Sequence, residues 1–350
     1  MAAARPNFMK VGPVIDALVG RADVELVHTG QHYDRAMSES FFVELGLPEP
    51  DVNLHVGSGS HGEQTAAVMV AYENHLQERR PDAVVVVGDV NSTLAATIAA
   101  TKLRIPVAHV EAGLRSRDWD MPEEVNRVLT DRVSRWLLAP SEDACRNLEA
   151  EGAPQEWIHL VGNVMVDTLL RNLDRARARR DQLLSGLGVE THALVTMHRP
   201  SNVDDVQQLG DTLGTIATAA ERMTVLFPVH PRTRKMLLGV GALPENVVLT
   251  EPLGYLDFVA AMDSAQIVFT DSGGVQEETS VLGVPCITVR DNTERPVTCE
   301  LGTNQLTGTD PAAIRAAAAT ALAGQREPAA IPYWDGKAGA RIADVLLADL

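Results

Sequence analysis

Basic residues are the scarce class in this chain: 30 Lys and Arg stand against 47 Asp and Glu, a formal net charge of −17. Such a balance repels polyanion backbones and anionic lipid surfaces, so neither nucleic acid nor a membrane is an expected partner. An anionic metabolite can still bind where a few cations are concentrated. Cysteine is equally sparse. The three present (Cys145, Cys286, Cys299) lie far apart with no CxxC, which excludes a disulfide framework and reads as reduced thiols in the cytoplasm. There is no apolar run of the roughly 18 residues that span a bilayer, and no basic-then-apolar leader, so the expectation is a soluble, unexported protein. Walker A is absent. His109-Val110-Glu111 opens like a zinc-deaminase motif, but no PCxxC follows, and no cluster has zinc spacing. No metal is expected. Short-period repeats, heptads and low-complexity tracts are missing as well.

What is there is an α/β pattern long enough for two domains, 350 residues with 45% hydrophobic content. Strand candidates in the first half are Val24–Gly30, Ala83–Asp89, Pro106–Val110, Arg135–Pro140 and Ile158–Asn163. Those in the second are Ala193–His198, Met223–His230, Asn246–Pro252, Ala265–Asp271 and Pro285–Arg290. Several are continuous apolar runs, as in strands covered on both faces, and helical stretches such as Thr93–Leu103, Val203–Glu221 and Pro311–Gly324 alternate with them. This predicts two Rossmann-like, doubly wound parallel sheets. A long helix over Val164–Arg180, followed by Gly186-Leu187-Gly188, is the expected hinge. The domains are then 1–168, with a last helix over 336–350 packing back on it, and 169–335.

In open α/β sheets ligands bind beyond the carboxyl ends of strands. Asp89 and Glu111 each follow such a strand, and Glu123 opens a helix in Met121-Pro122-Glu123-Glu124. Each alone reads equally well as a cap or a helix-dipole partner. Converging on one cleft edge, the three suggest acid/base chemistry, because neighbouring like charges raise one another's pKa. In the second half Thr270-Asp271-Ser272-Gly273-Gly274 makes a strand-to-helix turn whose amides can face an anion. Glu278, further along that helix, could accept both hydroxyls of a ribose. His198 and His230 end neighbouring strands, followed by Arg199 and Arg232, while Arg290 and Arg295 follow the next strand and Arg5 and Lys10 open a helix near the N-terminus. Phe258 suits either a base stack or an apolar helix face. The GxGxxG match at Gly57–Gly62 follows a short polar strand outside the opening unit and is weak evidence for a dinucleotide.

The ordered blocks Arg5-Pro6-Asn7-Phe8-Met9-Lys10, Thr29-Gly30-Gln31-His32, Gly88-Asp89-Val90-Asn91-Ser92-Thr93, His109-Val110-Glu111-Ala112-Gly113-Leu114-Arg115, Pro122-Glu123-Glu124-Val125-Asn126-Arg127, Gly162-Asn163, His198-Arg199, Val229-His230-Pro231, Asp271-Ser272-Gly273-Gly274-Val275-Gln276-Glu277-Glu278 and Thr293-Glu294-Arg295-Pro296 together resemble the non-hydrolysing UDP-N-acetylglucosamine 2-epimerases. The resemblance implies a GT-B-like pair of Rossmann-like domains facing across a cleft. It implies C2 epimerisation of UDP-N-acetylglucosamine to UDP-N-acetylmannosamine, by elimination and re-addition of UDP through 2-acetamidoglucal, with no cofactor. It assigns proton transfer to Asp89, Glu111 and Glu123, leaving-group assistance to His198 and phosphate contacts to Arg5, Lys10, Ser272, Gly273, Gly274 and Arg295. Glu278 would hold the ribose and Phe258 the uracil, in a homodimer. Four departures stand out. Met1-Ala2-Ala3-Ala4 leads straight into Arg5, so the first strand of the N-terminal domain reads as missing. Pro200-Ser201-Asn202 follows His198-Arg199 where Arg-Glu-Asn is commoner, and Val297 follows Arg295-Pro296 in place of Glu. Asp34 stands where some bacterial members that use substrate as activator carry Gln.

The alternatives are an epimerase, hydrolysing or not, of a related UDP-2-acetamido sugar, and a GT-B glycosyltransferase. The latter shares the phosphate cradle but needs an acceptor site and no carboxylates around C2. An NAD oxidoreductase or a non-catalytic sugar-nucleotide binder are the more distant readings.

Overall fold

A computed structural model describes residues 1–2, 5–30, 44–57 and 59–350, without the side chains of Arg5 and Pro6. Gln31, His32 and Asp34 therefore lie outside the described residues. The chain divides into two compact units: Met1–Thr168 with Pro332–Leu350, and Leu169–Ile331.

In the first unit a four-stranded parallel sheet runs β3 (Val84–Val87), β4 (Val107–Val110), β5 (Trp136–Ala139), β6 (Ile158–Leu160), beside a parallel pair, β1 (Val27–His28) and β2 (Val52–Asn53). The strands of the larger sheet are apolar and mostly buried, as expected of strands between helical layers. No strand precedes helix α1 (Arg5–Leu18) among the described residues. Instead Met1 and Ala2 bridge the two sheets: Ala2 pairs with His28 and the Met1 amine donates to Val85 O at 2.9 Å. Ala2 is fully buried, and burial lowers the amine to about 5. With that bridge in first place, the strand succession is 3-2-1-4-5-6-7, a Rossmann order with one further strand at its end.

Helix α1 carries Asn7 and Lys10, and two contacts fix it. Pro13 lies inside the helix and has no N–H for the Met9 carbonyl, four residues back. The hydroxyl of Thr168, in α6 (Val164–Arg177), supplies the missing donor at 2.5 Å. On its other side Phe8, Val11, Val14 and Leu18 share a core with Ala338, Ile342, Ala343 and Leu346 of the last helix, α15 (Ala338–Asp349). Gly339 of α15 comes so close to the Pro13 carbonyl that no side chain fits there. Asp167 accepts from the amides of Ala338 and Gly339, anchoring the start of α15.

The remaining helices of this unit used below are α2 (His61–Glu78), α3 (Asn91–Lys102), α4 (Pro122–Val133) and α5 (Glu142–Ala150). Ser60, inside the GxGxxG match, caps α2 through a capping box with Glu63, which is a helix-start function.

The second unit has six parallel strands in the order β12-β11-β10-β7-β8-β9, again the Rossmann succession. They are β7 (His192–Thr196), β8 (Thr224–Pro228), β9 (Val247–Thr250), β10 (Ile267–Thr270), β11 (Cys286–Thr288) and β12 (Asn304–Leu306). The short, polar β12 is absent from the sequence-based expectation. The units divide inside α6, at Thr168/Leu169, within the helical stretch expected as the hinge; the glycines after it serve the next helix, Gly186 within α7 (Arg180–Leu187) and Gly188 as its cap at φ +67°. A glycine one residue past a helix serves the left-handed cap, and that role accounts for the pattern.

Replacing Thr168 by Val keeps the shape but leaves the part-buried Met9 carbonyl without this donor. We expect a loss of about 1–3 kcal/mol in unfolding free energy, measured by urea denaturation.

Candidate active site

In the first unit the parallel register pairs Val87 with Val110, so the residues just beyond these two strand ends are neighbours. Gly88 turns the chain at φ +68°, and Lys10 Nζ, Asn7 Nδ2 and Glu111 Oε2 crowd the place its Cβ would take. Asn7 donates to Val87 O at 2.7 Å. Lys10 pairs with Glu111 Oε2 at 2.5 Å, so this expected phosphate cation faces a carboxylate in the present structure. Glu111 itself sits at φ +73°, a left-handed conformation that costs a non-glycine residue on the order of 1 kcal/mol or more. Its carboxylate is buried, and Oε1 has no hydrogen-bond partner among the described residues. A strained backbone under a half-satisfied buried carboxylate is an arrangement stability alone does not favour.

Asp89 follows Gly88 with its side chain 30% exposed, paired with Arg127. Arg127, buried on α4, also pairs with Glu124 at 2.5 Å, and Glu124 accepts from the amides of Ser116 and Arg117. Asn126 donates to the Asp89 carbonyl at 2.9 Å. Glu123, in the first turn of α4, is half-buried and makes no ion pair among the described residues.

In the second unit β7 and β10 are neighbours on either side of the point where strand order reverses, and the expected residues stand at their ends. Asp271, fully buried, accepts from the amides of His198 and Arg199 and from Asn202 Nδ2, and its Oδ1 lies 2.9 Å from His198 Nδ1. Burial opposes the charge, but the His198 ring and these N–H groups outweigh it and hold Asp271 below the usual carboxylate range. The ring of His198 is thereby oriented, with 53% of the side chain exposed.

Ser272 precedes α12 (Gly273–Leu282), and its hydroxyl makes no capping bond. The first-turn amides of such a helix have no intrahelical acceptor and favour an anion. Gly273 lies directly against the Arg295 guanidinium, leaving no room for a side chain. Arg295 is buried and paired with Glu277 at 2.5 Å and Glu294 at 2.6 Å, so its charge is already met from two sides. Arg290 reaches Glu294 at 3.1 Å and Arg199 lies 3.7 Å from it. Arg5 opens α1, but its side chain lies outside the described atoms. His230 caps α10 (Pro231–Val240) and Arg232 pairs with Asp204 at 2.8 Å.

Glu278 is buried on α12 and accepts from Tyr255 Oη at 3.1 Å, its one hydrogen-bond partner among the described residues. Tyr255 opens α11 (Tyr255–Ser264), on which Phe258 is half-buried. Burial, reinforced by neighbouring Glu277 and only partly offset by Tyr255, pushes Glu278 up to about 8. Sequence reasoning missed Tyr255, Arg127 and Asn202 as partners of the named residues. Among the described residues no group of His, Cys, Asp and Glu is placed to hold a metal ion.

The family model for UDP-N-acetylglucosamine 2-epimerase matches residues 17–347. The chain belongs to this family. It is 43% identical to the UDP-N-acetylglucosamine 2-epimerase of Methanocaldococcus jannaschii over 98% of this chain and 96% of that one. It is 39% identical to the UDP-2,3-diacetamido-2,3-dideoxy-D-glucuronate 2-epimerase of Pseudomonas aeruginosa over 98% and 97%. The crystal structure of the M. jannaschii enzyme in complex with UDP-GlcNAc and UDP superposes with a TM-score of 0.91 at 42% identity, covering 99% of this chain and 98% of that one. A glycosyltransferase of kitacinnamycin, 16% identical with a TM-score of 0.58 over 98% and 95% of the two chains, shares the fold. The α/β, Rossmann-like, GT-B-like architecture of an epimerase is thus established. No helix among the described residues is long and apolar enough to cross a membrane.

The elevated Glu278 sets a pH dependence for stability. Between an ordinary carboxyl value of 4.5 and about 8, the folded protein holds a proton that the unfolded chain has released. Raising the pH across that window therefore destabilises the unliganded fold, by up to about 1.4 kcal/mol per pH unit from this group. Glu278→Gln should flatten the curve, so that its stability relative to wild type rises from pH 5 to pH 8 in denaturant titrations.

Proposed function

We propose that this chain interconverts UDP-N-acetylglucosamine and UDP-N-acetylmannosamine by eliminating UDP and the C2 proton across C1–C2, then adding UDP back to C1 of bound 2-acetamidoglucal with a proton delivered to the other face of C2. The observation that carries the reading is Glu111: a buried carboxylate on a strained backbone, one oxygen on Lys10 and the other unpartnered among the described residues, beside the strand end that bears Asp89. The C2 proton is not acidic, so its removal needs positioned acid/base groups and a leaving group whose charge is stabilised. In this reading Asp89, Glu111 and Glu123 of the first unit handle protons, each contributing roughly 10²–10⁴-fold as a general acid or base. The second unit holds UDP. Ser272, Gly273 and Gly274 meet the diphosphate with amides and a hydroxyl, and Arg295, Arg5 and Lys10 add cations as charge develops. His198, oriented by Asp271, assists departure of the diphosphate. Glu278 receives the ribose hydroxyls, and Phe258 packs on uracil. We read the first unit as the catalytic domain and the second as the nucleotide domain of a homodimeric, cytoplasmic enzyme; light scattering tests the dimer.

A second substrate is favoured by the 39% identity to the P. aeruginosa enzyme that acts on a UDP-2,3-diacetamido uronate. Incubation with each sugar nucleotide in deuterated water, without acceptor, decides between them. Deuterium at C2 of UDP-N-acetylglucosamine, with the manno epimer formed, supports the proposal. Exchange only with the diacetamido uronate transfers it to that substrate, and no exchange with either overturns it.

Two variants follow. Asp89→Asn should lower kcat by roughly 10²–10⁴-fold while UDP still binds in calorimetric titration. Ser272→Ala and Arg295→Ala should each weaken UDP binding, about tenfold for loss of one hydrogen bond to a charged group.

A further inference from the structure

His109 is the polar member of the His109-Val110-Glu111 block, besides Glu111, and the proposed chemistry leaves it without a task. It is fully buried on β4, and both ring nitrogens are engaged. Nε2 lies 2.8 Å from the Gly88 carbonyl and Nδ1 lies 2.6 Å from Asp131 Oδ1, on α4. A carbonyl oxygen only accepts. Asp131 has the charges of His109 and Arg115 and the Gly113 amide beside it, and although burial opposes ionisation these hold it below the usual carboxylate range. Nε2 is therefore the donor to the Gly88 carbonyl, and Nδ1 shares a hydrogen bond with Asp131. The other oxygen of Asp131 accepts from the Gly113 amide at 3.0 Å and from Arg115 at 2.8 Å, and Arg115 continues to Glu151 at 2.7 Å.

These bonds converge on two short backbone segments. Gly88 and Gly113 both have positive φ (+68° and +83°), and each borders a carboxylate: Asp89 follows Gly88, and Glu111 precedes Gly113 by two residues, itself at +73°. Beyond the last ladder pair one backbone bond still joins the two strands, the Gly88 amide donating to Val110 O at 3.2 Å, and the Glu111 and Ala112 amides share a single carbonyl, Leu138 O. The His109 and Asp131 side chains add to these few backbone bonds in shaping the segment that carries Glu111.

Resting on the reading of Asp89 and Glu111 as proton-transfer groups, we propose that His109 and Asp131 form a positioning pair. Through the Gly88 carbonyl and the Gly113 amide, one buried pair fixes the placement of both carboxylates relative to the reacting carbon. His109 touches no substrate. Its effect is on orientation, and a displacement of about 1 Å in such groups costs on the order of 10²-fold in rate.

His109→Gln retains one donor of suitable reach and loses the other, so it tests the pair with little change in volume. The expected result is a kcat lowered about 10²-fold, with the rate of C2 deuterium exchange falling in parallel while KM and the affinity for UDP stay within twofold of wild type. A role confined to supporting the fold would move UDP affinity and KM as well. A kcat within twofold of wild type, or a parallel loss of UDP affinity, overturns the proposal. Should His109→Gln not yield folded protein, Asp131→Asn is read by the same criteria. Asp89→Asn, assayed alongside, separates this inference from the reading beneath it. If that variant exchanges C2 at the wild-type rate, the assignment of Asp89 fails; if it abolishes exchange while His109→Gln does not slow it, the positioning pair alone fails.

Discussion

The parallel ladder between β3 and β4 is the constraint on which the first unit's chemistry rests. Pairing Val87 with Val110 brings the exits of two strands side by side, so that two carboxylates twenty-two residues apart in sequence emerge at one sheet edge. A one-residue slip would turn every side chain of β4 to the opposite face. In β4 such a slip would take the buried His109 away from the Gly88 carbonyl and Asp131. Just past the ladder the positive-φ residues Gly88, Glu111 and Gly113 cluster. Strain at this edge persists because a rigid sheet and a buried ion-pair network surround it.

The second unit solves a different electrostatic problem. Three arginines, 199, 290 and 295, gather around Glu277 and Glu294 close to a helix N-terminus. Without those carboxylates, such a concentration of guanidinium groups would be costly to bury. With them, the cluster keeps its shape, and an arriving anion gains attraction by rearranging pairs that are already ordered. Asp271 does the same for His198, spending its own hydrogen bonds on the backbone that presents the ring.

Much of this architecture could be read from the amino acids, because the strands are runs such as Val84-Val85-Val86-Val87 and the helices between them are long. The positions just past strand ends likewise followed from a general rule of α/β sheets. What escaped were features without a periodic signature. β12 is three residues with a buried Asn304 bonded into a side-chain network, which no hydrophobic pattern marks. Gly186-Leu187-Gly188 suggested a hinge because glycine marks caps and flexible joints alike. Pairings such as Asp89 with Arg127, Lys10 with Glu111 and Tyr255 with Glu278 join residues 38, 101 and 23 positions apart, so only the folded chain reveals them.

The interleaved composition of the first unit bears on how the molecule is made. Its α1 presents Phe8, Val11, Val14 and Leu18 to α15, whose residues are translated long after them. A growing chain at the ribosome therefore carries an uncovered apolar stripe until α15 has emerged. The intervening Rossmann unit, contiguous from Leu169 to Ile331, has all of its own strands before then. Closure of the first unit is thus a late, long-range event, and the interval before it is when this protein most needs a chaperone's protection.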